Sequence, residues 1–219
     1  MTDERWAAVD EYLTEVLVGD HPAAAALENS RNAGLPAINV SPPQGKFLHL
    51  LARSINARHV LEIGTLGGYS TIWIASALPA DGRLVTLEAN PDYAELARRH
   101  IEAAGFGAIV EVRVGPALES LPALADLPPF DLAFIDADKV NNPAYFAWAL
   151  KLSRPGSVII VDNVVRNGAI LEENSSDPNV LGTRELFTLV ESEPRVSATV
   201  IQTVGSKGYD GFAMAYVIE

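Results

Sequence analysis

One stretch of the chain decides the fold, the run Val60-Leu61-Glu62-Ile63-Gly64-Thr65-Leu66-Gly67-Gly68-Tyr69-Ser70. Its apolar beginning predicts a buried strand over residues 59–63. The glycines that follow predict a tight turn in which the backbone can approach a ligand closely. The run therefore predicts a strand that passes through a glycine turn into a helix, which is the repeating unit of open α/β sheets.

Further strands follow this unit along the chain. Short apolar or β-branched runs predict strands over residues 83–87, 109–114, 132–135 and 158–161. The last two are almost continuously apolar, as is typical of strands buried on both faces of a parallel sheet. A helix that continues to Val190 precedes two more predicted strands, 197–203 and 211–217, which we expect to form a hairpin at the sheet edge. The fold class predicted from these runs is a doubly wound α/β fold.

The segment before the glycine turn has a helical pattern. Its apolar residues recur at helical spacing, and one stripe consists of Trp6, Val9, Leu13 and Val16. Residues 39–43 are predicted to be extended and to lead into a helix, which Ser41 can cap. We predict one domain over residues 1–219, in which residues 1–55 form a helical part over the site and residues 56–219 form the α/β core. The polar loop 172–179 is a candidate lid.

Composition limits the partners. The chain has 28 acidic and 16 basic residues, a formal net charge of −12 and no cysteine. Because a phosphate backbone would be repelled, we expect no nucleic-acid partner, and thiolate metal sites are excluded. The acidic start lacks the pattern of a signal peptide, and no apolar run approaches the roughly 20 residues of a membrane span. We therefore expect a soluble cytoplasmic protein without a membrane partner.

An acidic residue ends the second predicted strand. Glu88 lies roughly 20 residues beyond the glycine turn, where the acid of nucleotide-binding folds accepts hydrogen bonds from ribose hydroxyls. Gly64, Gly67 and Gly68 do not have the G-x-G-x-x-G spacing that places a pyrophosphate on a helix start. The pattern favours a nucleoside ligand without phosphates. The alternative is a glycine turn needed only for packing and a solvated glutamate at a strand end.

Two aspartates follow the fourth and fifth predicted strands. Asp136 and Asp162 would emerge at the same edge of the sheet, with Asn163 next to the latter. If the strands are neighbours, their ends lie about 5 Å apart, and the two carboxylates repel unless they share a proton or a cation. Carboxylate and amide oxygens suit Mg²⁺, Mn²⁺ or Ca²⁺. The alternative is that both aspartates only cap turns.

Lys139 would by default be a solvated surface lysine. A nearby cation would favour its neutral amine, which can act as a base. The four histidines lie on separate segments without a ligand spacing, so we predict structural or surface roles for them; they are His21, His49, His59 and His100. Three aromatic residues in predicted helices are expected to lie in the core; they are Trp73, Phe146 and Trp148.

These features together resemble the cation-dependent O-methyltransferases, the family that includes caffeoyl-CoA and catechol methyltransferases and many bacterial relatives. The resemblance covers roughly residues 35–219 and is carried by several blocks. They are Val40-Ser41-Pro42-Pro43-Gln44-Gly45, residues 61–71, Phe134-Ile135-Asp136-Ala137-Asp138-Lys139, Arg154-Pro155-Gly156, Val161-Asp162-Asn163-Val164 and Gly208-Tyr209-Asp210-Gly211.

The resemblance implies a Rossmann-like class I methyltransferase fold, with a mostly parallel seven-stranded sheet, helices on both faces and an antiparallel C-terminal strand. It implies S-adenosylmethionine as cofactor, Mg²⁺ in preference to Mn²⁺ or Ca²⁺, a small hydroxylated acceptor such as a catechol, and a homodimer. Asp136, Asp162 and Asn163 match metal ligands, and Lys139 matches the general base beside a catalytic Asp136. The positions that match cofactor contacts are Val40, Glu62, Gly64, Tyr69, Ser70, Glu88, Ala117 and Asp136.

The sequence also departs from the family pattern. Pro116 stands where the family usually has an aspartate near the adenine, and Arg166 stands where relatives often carry a tryptophan. Ser157 replaces the second glycine of a Pro-Gly-Gly turn. Two other functions share the fold class, a nicotinamide-dependent oxidoreductase and a non-catalytic nucleoside-binding protein. The glycine spacing argues against the first, and the paired aspartates with Lys139 argue against the second.

Overall fold

The computed structural model describes residues 3–219, and within them seven strands form one sheet. The strands are β1 (His59–Ile63), β2 (Arg83–Glu88), β3 (Val110–Val114), β4 (Phe130–Ile135), β5 (Ser153–Asp162), β6 (Val196–Gly205) and β7 (Gly208–Val217). Their order is β3-β2-β1-β4-β5-β7-β6. Strands β1 to β5 are parallel, whereas β7 runs antiparallel to both β5 and β6. The predicted α/β fold with an antiparallel C-terminal strand is confirmed.

The helices lie between the strands and before β1. They are α1 (Asp3–Leu13), α2 (Ala23–Asn32), α3 (Pro42–Ser54), α4 (Tyr69–Ala75), α5 (Pro91–Ala103), α6 (Ala117–Ser120), α7 (Asn142–Lys151) and α8 (Pro178–Ser192). A π-helical turn, Thr14–Val18, continues α1, and short 3-10 helices cover Leu121–Leu124, Lys139–Asn141 and Arg166–Leu171. Ser41 caps α3 as predicted, because its Oγ accepts a hydrogen bond from the Gln44 backbone N–H at 3.3 Å.

Both faces of the sheet are covered, because successive side chains of a strand point to opposite sides. One face packs against α6, α7 and α8 through alternate strand residues such as Leu61, Ile63, Leu87, Ile135 and Val161. The other packs against α2, α3, α4 and α5 through the residues between them, such as Val60, Leu84, Leu132, Phe134 and Ile160. The predicted core positions of Trp73 and Phe146 are confirmed, whereas Trp148 is only partly buried.

Several predicted boundaries differ from the structure, and two of the differences have a clear local cause. Strand β5 begins at Ser153, because Ser153 pairs with Phe130 and the register with β4 then shifts, so that the Pro155-Gly156 segment bulges inside the strand. Helix α8 begins at Pro178, because the Asp177 side chain accepts a hydrogen bond from the Asn179 N–H at 2.8 Å and caps it. The polar loop is therefore shorter than 172–179 by two residues, and its role as a lid stays a prediction.

The N-terminal helices differ from the prediction in their burial. Val9 and Val16 of the predicted apolar stripe are 50% and 57% exposed. The stripe does not form one buried face, because the chain leaves α-helical geometry at Thr14 and enters a π-helical turn with no buried residue. Within residues 3–219, no helix is both long enough and apolar enough to cross a membrane. The single-domain organisation and the cytoplasmic location stay predictions.

Candidate active site

A cavity of about 640 Å³ opens beyond the carboxyl ends of β1, β2 and β4. This is the edge at which open α/β sheets bind ligands. We call it the cofactor cavity, and the predicted cofactor positions in its wall are Val40, Gly64, Tyr69, Ser70, Glu88, Ala117 and Asp136. Lys139 and Asn163 also line it, as does Pro116 beside Ala117. The structure thus brings together residues that lie up to 128 positions apart in the chain, Ile38 and Arg166 being the most distant.

Glu88 holds the glycine turn in place. Its Oε2 accepts hydrogen bonds from the backbone N–H groups of Thr65 at 3.1 Å and Leu66 at 2.8 Å, and its Oε1 accepts one from Asn90 at 2.9 Å. A carboxylate oxygen can accept more than one hydrogen bond, so both oxygens can still receive ribose hydroxyls. The sequence indicates the ligand-facing side of Glu88 but gives no sign of this bracing role.

Position 64 has no room for a side chain and is therefore suited only to glycine. Its φ of +100° is a conformation that side-chain-bearing residues rarely adopt, and an added Cβ would collide with the backbone carbonyl of Asp136. The ends of β1 and β4 therefore meet closely at the cavity. His100 supports the same turn from behind, because its Nδ1 lies 2.8 Å from the Gly67 carbonyl oxygen. His100 is thus structural, as the sequence predicts for the histidines.

Glu62 is the one predicted cofactor position that does not line the cofactor cavity among the residues described. It lies on the sheet face under α4 and is fully buried. Its oxygens accept hydrogen bonds from the hydroxyls of Ser70, Thr71 and Thr86. Its pKa is raised to about 7, mainly by burial and in smaller part by the nearby charge of Asp136, while those hydrogen bonds oppose the rise. Glu62 reaches the cavity through Ser70, whose hydroxyl it orients at 2.6 Å.

Asp162 ends β5 and is almost completely buried. Its Oδ2 accepts a hydrogen bond from Gln44 Nε2 at 2.7 Å, and its Oδ1 accepts one from the Asn163 N–H at 2.9 Å. Burial raises the pKa of Asp162 to about 7, and the charge of Asp136 contributes in the same direction. Sequence reasoning did not assign a site role to Gln44, although it lies in the matching block 40–45.

Lys139 is not a solvated surface lysine. Its side chain is buried, and its Nζ donates a hydrogen bond to Asp136 Oδ1 at 2.9 Å. The 3-10 helix Lys139–Asn141 that carries it is held by α8, because Gly182 packs directly against the backbone of Lys139 and Val140. The default interpretation from the sequence is therefore wrong, since a lysine at this depth needs an acidic partner.

The donor set at the strand ends fits a hard divalent cation. No cluster of three or more His, Cys, Asp or Glu side chains suited to a metal occurs in residues 3–219. The set predicted from the sequence is different in kind, because it combines two carboxylates with the amide of Asn163. All three donors are oxygens, as Mg²⁺ prefers. Burial, and then the charge of Asp136, raise the pKa of Asp162, and a bound cation would relieve the repulsion between the two carboxylates.

A second cavity of about 500 Å³ adjoins the first, and we call it the acceptor cavity. Asp162, Gln44, Phe47 and Phe212 line it, and the two phenylalanine rings lie 5.0 Å apart. Asn163 and Arg166 line both cavities. The acceptor cavity thus combines a pair of phenylalanine rings with polar and charged walls beside the predicted metal ligands. Its volume suits a small aromatic molecule that carries polar groups.

The structure brings two histidines together that the sequence separates. His21 stacks on Trp73 with ring centroids 3.5 Å apart, and the rings of His21 and His49 lie 3.0 and 2.9 Å from Ser76 Oγ. Burial lowers the pKa of His21 to about 4. Neither imidazole lines the cofactor or acceptor cavity as described. The cluster joins the N-terminal helices to α4, which agrees with a structural role.

Known proteins are similar to this chain in sequence and in structure. The sequence profile of a family described as O-methyltransferase matches residues 17–215. A catechol O-methyltransferase of Mycobacterium tuberculosis is 57% identical over 210 residues, which are 95% of this chain and 94% of that protein. A catechol O-methyltransferase of Niastella koreensis is 48% identical over 220 residues, which are 99% of this chain and 100% of that protein.

A solved structure has almost the same shape. It is the O-methyltransferase from Bacillus cereus in complex with SAH, which matches with a TM-score of 0.97 at 56% identity and covers 99% of this chain and 100% of that one. The predicted methyltransferase fold is therefore confirmed. The profile and these relatives together extend over nearly all of the sequence. The chain belongs to the O-methyltransferase family.

Proposed function

We propose that the protein transfers the methyl group of S-adenosylmethionine to one hydroxyl of a small acceptor that carries two adjacent oxygens, such as a catechol, and that it needs a divalent cation to do so. The observation that carries the proposal is that Asp136 and Lys139 line the cofactor cavity, while Asp162 lines the adjoining acceptor cavity and faces the charge of Asp136. The names of two relatives, both catechol O-methyltransferases, support the acceptor class.

S-adenosylmethionine suits the cofactor cavity. Glu88 would receive the ribose hydroxyls, while the Gly64 turn lets the backbone approach the methionine end. The positions Val40, Tyr69, Ser70 and Ala117 would form the walls around it. Bound SAH in the Bacillus cereus relative supports this assignment. An acidic site also suits a cofactor that carries a sulfonium charge.

Asp136, Asp162 and Asn163 would hold the cation, for which Mg²⁺ is the first choice and Mn²⁺ or Ca²⁺ share the oxygen preference. When bound, the cation supplies Lewis-acid chemistry that makes an acceptor hydroxyl more acidic. Gln44 keeps Asp162 oriented by its hydrogen bond to Oδ2. Together these residues would fix two adjacent acceptor oxygens at the mouth of the acceptor cavity.

Lys139, as a neutral amine, would take the proton of the attacking hydroxyl on its Nζ, which lies 2.9 Å from Asp136 Oδ1. The acceptor oxygen then attacks the methyl carbon, so that the O–CH₃ bond forms as the S–CH₃ bond breaks and S-adenosylhomocysteine leaves. Phe47 and Phe212 would hold the acceptor ring in line. Holding both reactants in this geometry supplies up to about 7–11 kcal/mol of the acceleration.

The two alternatives have less support. A nicotinamide-dependent oxidoreductase would share the sheet and the acid after β2, but the glycines lack the dinucleotide spacing. A non-catalytic nucleoside-binding protein would have no use for a buried lysine paired with Asp136 beside a second carboxylate. Membership of the O-methyltransferase family favours neither alternative.

A homodimer is a further part of the proposal. Four apolar side chains of α1 and its π-helical turn are largely exposed in the single chain; they are Val9, Tyr12, Val16 and Leu17. Exposed apolar side chains that recur within one helical segment suit a contact between protein chains. Sedimentation velocity of the purified protein tests this part, and a monomer at micromolar concentration would contradict it.

Transfer of a labelled methyl group to a panel of catechols tests the central proposal. We expect transfer with added Mg²⁺ and its loss in excess chelator, with recovery when Mg²⁺ is restored. Transfer that is equally fast in excess chelator would refute the cation requirement. Labelling of no catechol in the panel would refute the acceptor class while leaving the cofactor assignment to be tested by calorimetry with S-adenosylhomocysteine.

A further inference from the structure

Arg166 lies where three cavities meet. It lines the cofactor cavity, the acceptor cavity and a third cavity of about 570 Å³ that continues from the acceptor cavity. Its backbone has a φ of +57°, and its N–H donates a hydrogen bond to Asp210 Oδ1 at 3.0 Å. This residue is also the one at which the sequence replaces a tryptophan that is common in the resembled family.

The side chain of Arg166 has no partner in the described part of the chain. Its Nε is buried without a hydrogen bond. The ion pairs formed within residues 3–219 do not include Arg166. A guanidinium always carries its charge, and a buried donor without an acceptor is costly. An unpaired arginine at a cavity junction is therefore placed to bind an anionic ligand group.

The nearby aspartates do not fulfil this role. Asp210 Oδ1 accepts hydrogen bonds from the backbone N–H groups of Val165, Arg166 and Gly211 at 3.0, 3.0 and 2.9 Å. Asp10 Oδ2 accepts hydrogen bonds from the N–H and Oγ of Ser206 at 2.8 and 3.0 Å. Both acids line the acceptor cavity but are engaged by loop backbone rather than by Arg166.

A second cation lies on the acceptor side. Lys207 lines the acceptor cavity and the third cavity but not the cofactor cavity, and its Nζ donates a hydrogen bond to the Ala37 carbonyl at 2.9 Å. Arg166 and Lys207 are the two basic side chains that line the acceptor cavity, together with the three aspartates Asp10, Asp162 and Asp210. Because hydrogen-bond donors already engage these acids, the two cations mark the region of the cavity that suits an anion. This region faces the space that an acceptor substituent would enter.

We propose that Arg166 determines acceptor specificity by binding a carboxylate of the methyl acceptor, so that the preferred substrates are dihydroxyphenyl carboxylic acids. The inference rests on the proposed function. The two hydroxyls face Asp162 and Asn163, and the carboxylate lies toward Arg166, with Lys207 adding long-range attraction. The planar guanidinium suits a carboxylate because it can donate two parallel hydrogen bonds.

Another carboxylate could reach the same arginine, the one at the methionine end of the cofactor, because Arg166 also lines the cofactor cavity. The position of Lys207 favours the acceptor as the source. The experiment separates the two by measuring acceptor and cofactor binding in the same variant.

The test compares catechol with 3,4-dihydroxybenzoate in the wild type and in Arg166→Gln. Glutamine is also polar and has the same backbone cost at a positive φ as arginine. The change therefore mainly removes the positive charge. Arg184→Gln on α8 is the matched control, since Arg184 is partly exposed and donates to the Glu172 carbonyl. Thermal melting of each variant verifies that it is folded.

We expect the wild type to have at least a tenfold higher kcat/KM for 3,4-dihydroxybenzoate than for catechol, and Arg166→Gln to bring this ratio close to one. Calorimetry in the presence of S-adenosylhomocysteine should show that Arg166→Gln binds 3,4-dihydroxybenzoate at least tenfold more weakly than the wild type does. The affinity of the variant for S-adenosylhomocysteine itself should stay within about twofold of the wild-type value. Arg184→Gln should match the wild type in both measurements.

Three results would overturn the inference. One is a wild-type ratio near one, and another is unchanged binding of 3,4-dihydroxybenzoate in Arg166→Gln. The third is a loss confined to S-adenosylhomocysteine, which would assign Arg166 to the cofactor. If neither compound is methylated by the wild type, the proposed function fails, whereas the calorimetric comparison still decides whether Arg166 binds the carboxylate.

Discussion

Asp162 and Glu62 are buried carboxyl groups with the same direction of pKa shift but different surroundings. Burial raises the pKa of each to about 7. Glu62 is surrounded by the hydroxyls of Ser70, Thr71 and Thr86, which donate to it. Asp162 instead opens on the acceptor cavity, although the charge of Asp136 acts on both groups. The first arrangement stabilises a turn, and the second suits a ligand.

Replacing Asp162 by Ala should separate turnover from cofactor binding. The change removes a proposed metal ligand, so the rate of methyl transfer should fall by more than about 100-fold. Replacing a residue that only supports a metal ligand typically costs about 10- to 100-fold. The affinity for S-adenosylhomocysteine should change little, because Asp162 lines the acceptor cavity rather than the cofactor cavity. Labelled methyl transfer and calorimetry measure the two effects.

Asp126→Ala is the matched control for that experiment, because Asp126 is exposed and lies outside both cavities. It should retain wild-type turnover. Full activity of Asp162→Ala at saturating Mg²⁺ would remove Asp162 from the proposed ligand set.

Replacing Glu62 by Gln should change how stability depends on pH. The pKa of Glu62 rises from 4.5 to about 7 on folding, so the folded state binds the proton more tightly than the unfolded state. The stabilisation from protonated Glu62 is complete below pH 4.5 and is lost as the pH rises to about 7. A shift of this size corresponds to about 3 kcal/mol, and glutamine lacks this titration.

The free energy of unfolding of Glu62→Gln, relative to the wild type, should therefore increase by about 3 kcal/mol between pH 4 and pH 8. Urea unfolding of both proteins at several pH values measures this difference. Because the other titrating groups are the same in both proteins, their contributions cancel when the two free energies are subtracted. Parallel pH profiles of the two proteins would show that Glu62 does not titrate in this range.

Residues at strand ends could be predicted from the sequence, and residues that support them could not. Asp136, Asp162 and Glu88 directly follow or end apolar runs, so their position at the ligand-binding edge follows from the parallel sheet. Gln44 contacts Asp162 across 118 positions of the chain, and no periodic pattern encodes such a contact. The bracing of the glycine turn by His100 depends in the same way on the packing of α5.

At the scale of elements, α8 fixes the position of the proposed base. Gly182 lies against the backbone of the 3-10 helix Lys139–Asn141, and an added Cβ would overlap the Lys139 carbonyl. Gly182→Ala should therefore displace α8 or the short helix. We expect a loss of about 1–3 kcal/mol of unfolding free energy, as for other overpacked sites, and a fall in turnover of tenfold or more.

Leu181→Ala is the control for this prediction, because Leu181 is a neighbour in α8 and about half of its side chain is exposed. Urea unfolding and labelled methyl transfer should leave this control close to the wild type. Wild-type turnover in Gly182→Ala would mean that Lys139 does not depend on the contact with α8.

Elements with one clear period were predictable, and their irregular ends were not. The runs 132–135 and 158–161 give β4 and β5 because apolar residues continue without interruption. The bulge in β5 and the π-helical turn after α1 depend on tertiary packing that overrides local pattern. The start of α8 could have been found from Asp177 followed by Pro178, which is a common pattern for a capped helix start.

At the scale of the whole molecule, cofactor binding should stabilise the fold. S-adenosylhomocysteine at about 100 times its Kd should contribute about 2.7 kcal/mol. In a chain of this size, that stabilisation raises Tm by about 5–10 °C. Differential scanning calorimetry with and without the ligand measures the shift.

Glu88→Ala should show a much smaller rise in Tm at the same ligand concentration, because it lacks the acceptor for the ribose hydroxyls. The variant without ligand provides the reference, since Glu88 also holds the glycine turn. An equal rise in the variant and the wild type would refute the ribose contact.

The contact between Gly64 and the Asp136 backbone joins the turn proposed to receive the cofactor to the acid proposed to hold the cation. Neither strand end can shift without moving the other, so the two sites have a single set of allowed positions. Thermodynamic linkage then requires that each ligand change the affinity for the other by the same factor. Binding of the cofactor and of the cation would then be cooperative without the movement of a domain.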